Sequence, residues 1–239
     1  MNLDWDAVLS AATNVRLLEG AITTVWLSIV CMALGFVIGI VIAAMRESKL
    51  GIISGLARFY IWVFRGTPLL VQLIIIYTGL PQVGIKLSVI SAVIIGLGLN
   101  EAAYQAEVIR GGLQSVPRGQ FEAARALGMT DYTLLRRIIA PQSLRIILLP
   151  LGNQFNSLIK ATSLASVISM EELLRRTEML GQYTFKVLET FLVAGLYYLL
   201  MTTLWGFVQN WLERRLNRHN RVDDVKAQKV VQPAVVGSA

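Results

Sequence analysis

Two polar stripes interrupt otherwise apolar stretches, and their residue types limit the chemistry open to this chain. Asn100, Tyr104 and Glu107 share one face of a helix at 3.6 residues per turn, with Glu101 on its flank. Asn153, Asn156, Lys160 and Ser163 recur at i, i+3, i+7 and i+10, again on one face, with Thr162 beside them. A carboxylate such as Glu101 can meet an ammonium group; Lys160 and the neighbouring amides and hydroxyls can meet a carboxylate. Asn100, Glu101, Tyr104, Asn153, Asn156, Lys160, Thr162 and Ser163 therefore suit a polar cavity that admits a small zwitterion. The same residues also suit interhelical hydrogen bonding, with Lys160 paired to Glu101 or Glu107. A charge at the centre of a hydrocarbon layer costs about 2.5–3.5 kcal/mol on insertion scales, so such residues persist where they meet a partner or water. Glu107 and Arg110 read as a structural pair near a helix end. No nucleophile–base constellation is visible. Cys31 is the sole cysteine and lies in an apolar run, and the one histidine is His219. One Cys and one His allow neither an intramolecular disulfide nor a metal cluster.

The elements that must carry these stripes are read from charge spacing. The 239 residues are 55% hydrophobic and 15% charged, against about 25% charged in a soluble domain. The run between Glu19 and Arg46 is uncharged, as are those between Arg65 and Lys86 and between Glu189 and Glu213. A helix needs about 20 apolar residues to cross hydrocarbon. Two windows with polar interruptions lie between these runs. The expectation is an all-α integral membrane protein with five transmembrane helices at about 20–45, 58–80, 86–109, 146–168 and 189–212. Residues 1–19 form an external segment, 110–145 a cytoplasmic loop and 213–239 a largely disordered cytoplasmic tail. The start Met-Asn-Leu-Asp-Trp-Asp lacks a basic region and the apolar run is long, so the first helix reads as a retained span rather than a signal peptide. Most of the 22 Lys and Arg residues fall on one side when connections alternate, which places the N-terminus outside and the C-terminus in the cytoplasm. The net charge of +7 thus reports topology and lipid headgroups, not nucleic acid binding. Gly35 and Gly39 form a small-xxx-small pair for close helix approach, within the subunit or in a dimer. Pro68 suggests a first-turn or kinked position. Glu171–Gln182 is charged and helix-prone, and is expected along the outer surface.

The 110–145 loop holds Glu122-Ala123-Ala124, then Gly128, then Ile138-x-Ala140-Pro141. Small side chains favour a helix at 119–127, a Gly turn, and a second short helix at 130–139 stopped by Pro141. Such a compact peg can seat in a partner's cleft, with Glu122 and the arginines fixing its register. The pattern resembles the EAA motif of bacterial ABC importer permeases, departing from it only at Ala140, where the family has Leu. Phe64–Gln72, Ala103–Gly112, Leu151–Phe155 and Thr162–Leu164 look like the histidine/glutamine/cystine permease subfamily of polar amino acid importers. Ala57–Tyr60, Tyr77–Pro81 and Val208–Leu212 look most like its cystine branch. At Ala161 the family often carries Asp or Asn.

The resemblance spans about residues 16–219. It implies a type I ABC importer permease fold in the bacterial inner membrane, with cytoplasmic coupling helices. Glu122, Ala123, Ala124, Gly128 and Pro141 would be the ATPase-coupling residues. The implied partners are an ATP-binding-cassette ATPase dimer, a second permease subunit, identical or paralogous, an external substrate-binding protein, and membrane lipid. The cargo would be a polar amino acid: cystine, glutamine or a basic one. No G-x-x-x-x-G-K-[ST] phosphate loop occurs. No cofactor is expected in this chain, and ATP and Mg would sit on the partner ATPase, so the chain itself would not be an enzyme. A self-sufficient transporter or channel using Glu101, Glu107 and Lys160 is the competing reading.

Overall fold

The computed structural model describes residues 3–231, with side chains through residue 215. Every regular element among them is helical. A short helix α1 (Trp5–Ala12) is capped by Asp4, whose carboxylate accepts from Ala7 N at 3.1 Å. It leads into α2 (Val15–Arg46), so residues 15–19, expected in an external segment, already belong to the first long helix. Asp4 pairs with Lys186 at 2.9 Å, and Tyr197 Oη donates to Ala12 O at 3.0 Å. These contacts fasten the start of the chain to the last helix.

The segment expected as one span at 58–80 is instead broken. Helix α3 (Gly51–Gly66) and the helix α4 (Leu69–Ile74), continued by a π turn and a 3₁₀ turn to Val83, meet at 106°. Pro68 has no N–H and restricts the residue before it, so Thr67 adopts an extended conformation with ψ of 147°. Gln72 closes the corner. Its Nε2 donates to Phe64 O, Thr67 O and Thr67 Oγ1 at 2.9, 3.1 and 2.8 Å. One amide thereby satisfies carbonyls that the interrupted helix leaves open.

Helix α5 (Val89–Gln114) packs along α2. Gly35 makes this possible: a Cβ there would lie 2.7 Å from Glu101 Cβ. Of the two readings of Gly35 and Gly39, the structure realises packing within the chain.

After α5 come α6 (Arg118–Ala126), α7 (Asp131–Leu134), a π turn (Leu135–Ile139) and α8 (Ala140–Ala161). Pro141 therefore does not stop the second loop helix, as its sequence position suggested. It occupies the first turn of α8, where its missing N–H costs least, and the widened turn before it carries the chain through without a break. α8 then ends at Ala161 and tightens into a 3₁₀ turn (Thr162–Ile168), so the expected 146–168 helix begins and ends earlier.

Helix α9 (Leu173–Thr184) falls on the segment read as helix-prone, and one side of it is buried through Leu173, Thr177 and Leu180. Glu172 caps it, accepting from Leu174 N and Arg175 N at 2.9 and 2.8 Å and from Tyr198 Oη at 3.0 Å. Burial pushes the Glu172 carboxyl above its ordinary value, and these donors offset part of that rise. Helix α10 (Val187–Val231) continues well past the expected end at 212, so the tail is helical to Val231, and residues 232–239 lie outside those described.

Among the described residues, three helices are long and apolar enough to cross a membrane: Val15–Arg46, Val89–Gln114 and Val187–Arg215. The bent α3–α4 pair makes a fourth if it counts as one span. With 22 residues, α8 reaches roughly 33 Å at 1.5 Å per residue. Its polar side chains, not its length, keep it from meeting the apolar criterion. The expected five thus correspond to three or four by length and composition.

Candidate functional site

The loop expected to meet a partner is a compact helical elbow. In α6, Ala124 turns inward onto Val116, Leu134 and Ile139, with Phe121 and Met129 against them. Glu122 and Ala123 face out. The helix ends as a Schellman motif: Met129 N donates to Ala124 O at 3.1 Å and Gly128 N to Arg125 O at 2.9 Å. That geometry requires the left-handed backbone of Gly128, whose φ is +71°. Thr130 then caps α7 through Thr133 N at 3.3 Å. The elbow's outward surface carries Leu127, 80% exposed, and Tyr132, 69% exposed, among the arginines. Neither was singled out from sequence. An apolar residue directly before the capping Gly was the available signal.

The stripe on α5 splits between neighbours. Asn100 is buried and donates to Gln72 Oε1 at 3.0 Å and to Phe64 O at 3.2 Å, so it faces the corner between α3 and α4. Tyr104 lies under the Arg65 guanidinium, 5.1 Å from ring centroid to Cζ. Glu107 pairs with Arg110 at 3.0 Å, as its spacing suggested, and also with Arg46, while Arg65 stands 4.0 Å away. This cluster joins the ends of α2, α3 and α5. Arg46, Arg65 and Gln72 were not among the candidate site residues; they come from elements remote in sequence. The Cβ of Glu101 instead packs against α2 at Gly35.

On α8, Asn153 Oδ1 accepts from Gln209 Nε2 of α10 at 3.0 Å. Lys160 is exposed and forms no ion pair with Glu101 or Glu107. The Thr162 and Ser163 hydroxyls donate to the carbonyls of Ile159 and Lys160 at 2.8 and 2.7 Å, which closes the end of α8. Among the described residues, none donates to Glu101 Oε2, Gln105 Oε1, Gln154 Oε1 or Asn156 Oδ1, although all four atoms are buried. An unsatisfied buried acceptor costs about 1–3 kcal/mol. Two helices thus each hold two acceptor oxygens suited to N–H donors. No group of three or more His, Cys, Asp or Glu among the described residues could hold a metal ion.

Comparison with known proteins matches residues 35–218 to the family described as "binding-protein-dependent transport system inner membrane component". A probable amino-acid ABC transporter permease, YckA of Bacillus subtilis, is 38% identical over 90% of this chain and 96% of its own length. The arginine transport system permease ArgU of Corynebacterium glutamicum is 38% identical over 90% of this chain and 72% of its own. The nopaline transport system permease NocM of Agrobacterium fabrum is 40% identical over 86% and 90%. Among solved structures, a chain of an amino acid ABC transporter superposes with a TM-score of 0.84 at 36% identity, covering 90% of this chain and all of that one. A chain of the inward-facing MetNI methionine ABC transporter gives 0.69 at 21% identity over 84% and 96%, a likeness of fold.

Proposed function

Because this chain belongs to the family of binding-protein-dependent transport system inner membrane components, we propose that it moves a polar amino acid inward under the drive of a separate ATPase docked on the α6–α7 elbow. It is the permease subunit of an amino acid ABC importer. The finer reading is a multi-pass, type I permease of a bacterial inner membrane, with its N-terminus outside and its C-terminus in the cytoplasm. The basic residues of the 110–145 loop support that orientation.

One observation carries the coupling assignment. The elbow presents Leu127 and Tyr132 outward from a rigidly capped turn, in a chain that lacks a phosphate loop of its own. Glu122, Ala123, Ala124, Gly128 and Pro141 shape that element, and closure of an ATPase pair would push on it. ATP and Mg would be held by that partner. A second permease chain and an external substrate-binding protein complete the assembly.

Cargo passes between α5 and α8 in this reading, near Asn100, Glu101, Tyr104, Asn153, Asn156, Lys160, Thr162 and Ser163. Oxygens of Glu101 and Asn156, buried with no donor among the described residues, favour a cargo that carries N–H donors. The relatives named for arginine transport support a basic amino acid; glutamine and cystine are the other candidates.

The test is co-purification with a tagged ATPase of the ABC type, followed by an ATPase screen over amino acids in proteoliposomes supplied with the binding protein. Stimulation by one polar amino acid is expected. Uptake by the chain alone, driven by an ion gradient without ATP, would overturn the reading.

A further inference from the structure

Between α2, α8 and α10 lies a groove of about 820 Å³ with no residue of α5 in its walls. This is within the roughly 300–1,000 Å³ of small-molecule sites. Its walls are apolar, with Ile29 and Ala33 on α2, Phe155 on α8 and Trp205 on α10, apart from Gly152 and three polar residues, Arg145, Gln209 and Glu213. Phe155 and Trp205 rings stand 4.3 Å apart, and the Trp205 indole donates to Gly152 O at 2.8 Å, which seals the inner wall.

The polar residues gather at one end. Gly152 meets Gln209, and Phe155 meets Trp205, so α8 and α10 run antiparallel. Arg145 is two turns before Gly152 and Glu213 one turn after Gln209. At 1.5 Å per residue they lie roughly 10 Å and 6 Å from that contact, in the same direction. Among the described residues neither enters an ion pair. Glu213 Oε1 accepts from Gln209 Nε2 at 3.1 Å, and no described residue donates to its other oxygen. The rims continue into outward faces carrying Ile146, Leu149 and Val208, all 45–48% exposed. In a membrane-embedded permease these faces meet lipid, so the groove opens to the bilayer.

We propose that this groove binds a zwitterionic aminophospholipid, with one acyl chain along the apolar walls, its phosphate on Arg145 and its ammonium on Glu213. A charged end of both signs on an apolar shaft matches that lipid class. An anionic lipid would meet Glu213 as a like charge. A choline lipid carries a quaternary ammonium that cannot donate a hydrogen bond to the carboxylate. The proposal does not depend on which cargo crosses.

The full-length chain, stripped of lipid in mild detergent, would be titrated by native mass spectrometry with phosphatidylethanolamine, phosphatidylglycerol and phosphatidylcholine of identical acyl chains. Phosphatidylethanolamine is expected to bind about five-fold or more tightly than the others, the scale of one charge-assisted hydrogen bond. Glu213→Gln should abolish that preference and leave weak binding of all three. Arg145→Gln should weaken all three, as should Ala33→Phe, which fills the shaft. Equal affinities in the unmodified chain, or an intact preference in Glu213→Gln, would overturn the proposal. So would efficient disulfide formation between two copies carrying Ala33→Cys in a Cys31→Ser background, because a second permease chain would then occupy the groove.

Discussion

Asn100 donates to Gln72 Oε1 at 3.0 Å, and through that bond α5 holds the 106° corner between α3 and α4. Gln72 in turn spends its own amide on Phe64 and Thr67. The corner is thus a three-part lock, with each part on a different helix.

Asn100→Ala removes both the donor to Gln72 and the donor to Phe64 O. A buried acceptor left without a partner costs about 1–3 kcal/mol. The expected result is a Tm in detergent several degrees lower, together with faster hydrogen exchange across Phe64–Gln72. An unchanged exchange pattern would show that the corner is held by Pro68 alone.

Gly35→Val tests the α2–α5 contact. Its Cβ would sit 2.7 Å from Glu101 Cβ and tighter than contact to Ala102 N, at 3.2 Å. Forcing a branched side chain there costs about 1–3 kcal/mol. The variant should unfold at lower temperature, whereas Gly55→Ala, with open space around it, should not.

Asp4 and Lys186 give the contact between the start of the chain and the region ahead of α10 a pH response. The hydrogen bond from Lys186 holds the Asp4 carboxyl below its ordinary 3.8, and the same contact holds the Lys186 amine above its ordinary 10.5. The carboxylate's contribution is therefore complete above pH 3.8 and lost as pH falls through the lowered value. The amine's contribution is complete below pH 10.5 and lost as pH rises through the raised one. Amide exchange in α1, corrected for intrinsic rates, should be slowest across the middle of this range and accelerate at both extremes. Lys186→Met should flatten that profile.

The uncharged runs between Glu19 and Arg46 and between Glu189 and Glu213 were enough to place α2 and most of α10, because lipid-facing helices must avoid charge along their whole length. The break at Thr67–Pro68 was hidden for the same reason. Hydropathy averages over an uncharged window and carries no direction, and the lock that fixes the angle draws on Asn100, 28 residues beyond Gln72. Pro141 misled because a proline is read as a stop, while a π turn lets it open a new helix. The elbow was legible from Glu122, Ala124 and Gly128. Its exposed apolar tip, Leu127 and Tyr132, was not, since exposure depends on which side of α6 packs on Val116 and Ile139. The α5 stripe was found by its period, but the arginines that surround Glu107 arrive from α2 and α3, and spacing within one helix cannot reveal them.

Leu127→Asp separates docking from folding. At 80% exposure the side chain adds little to the chain's own stability, and surface changes of this kind usually stay within about 0.5 kcal/mol. The Tm should hold while recovery of a co-expressed tagged ATPase falls several-fold. Equal recovery would remove Leu127 from the contact.

The central claim is that the α6–α7 elbow transmits ATP hydrolysis to the permease. Gly128 has φ of +71° and no neighbour within 4 Å of an added Cβ. A leucine there finds space but strains the backbone by roughly 1–2 kcal/mol and so misaligns the elbow. Amino acid uptake and ATP hydrolysis should be measured together in proteoliposomes holding the whole importer with Gly128→Leu. The expected result is that hydrolysis continues while uptake per ATP falls at least several-fold. Uptake and hydrolysis in the normal ratio would contradict the claim.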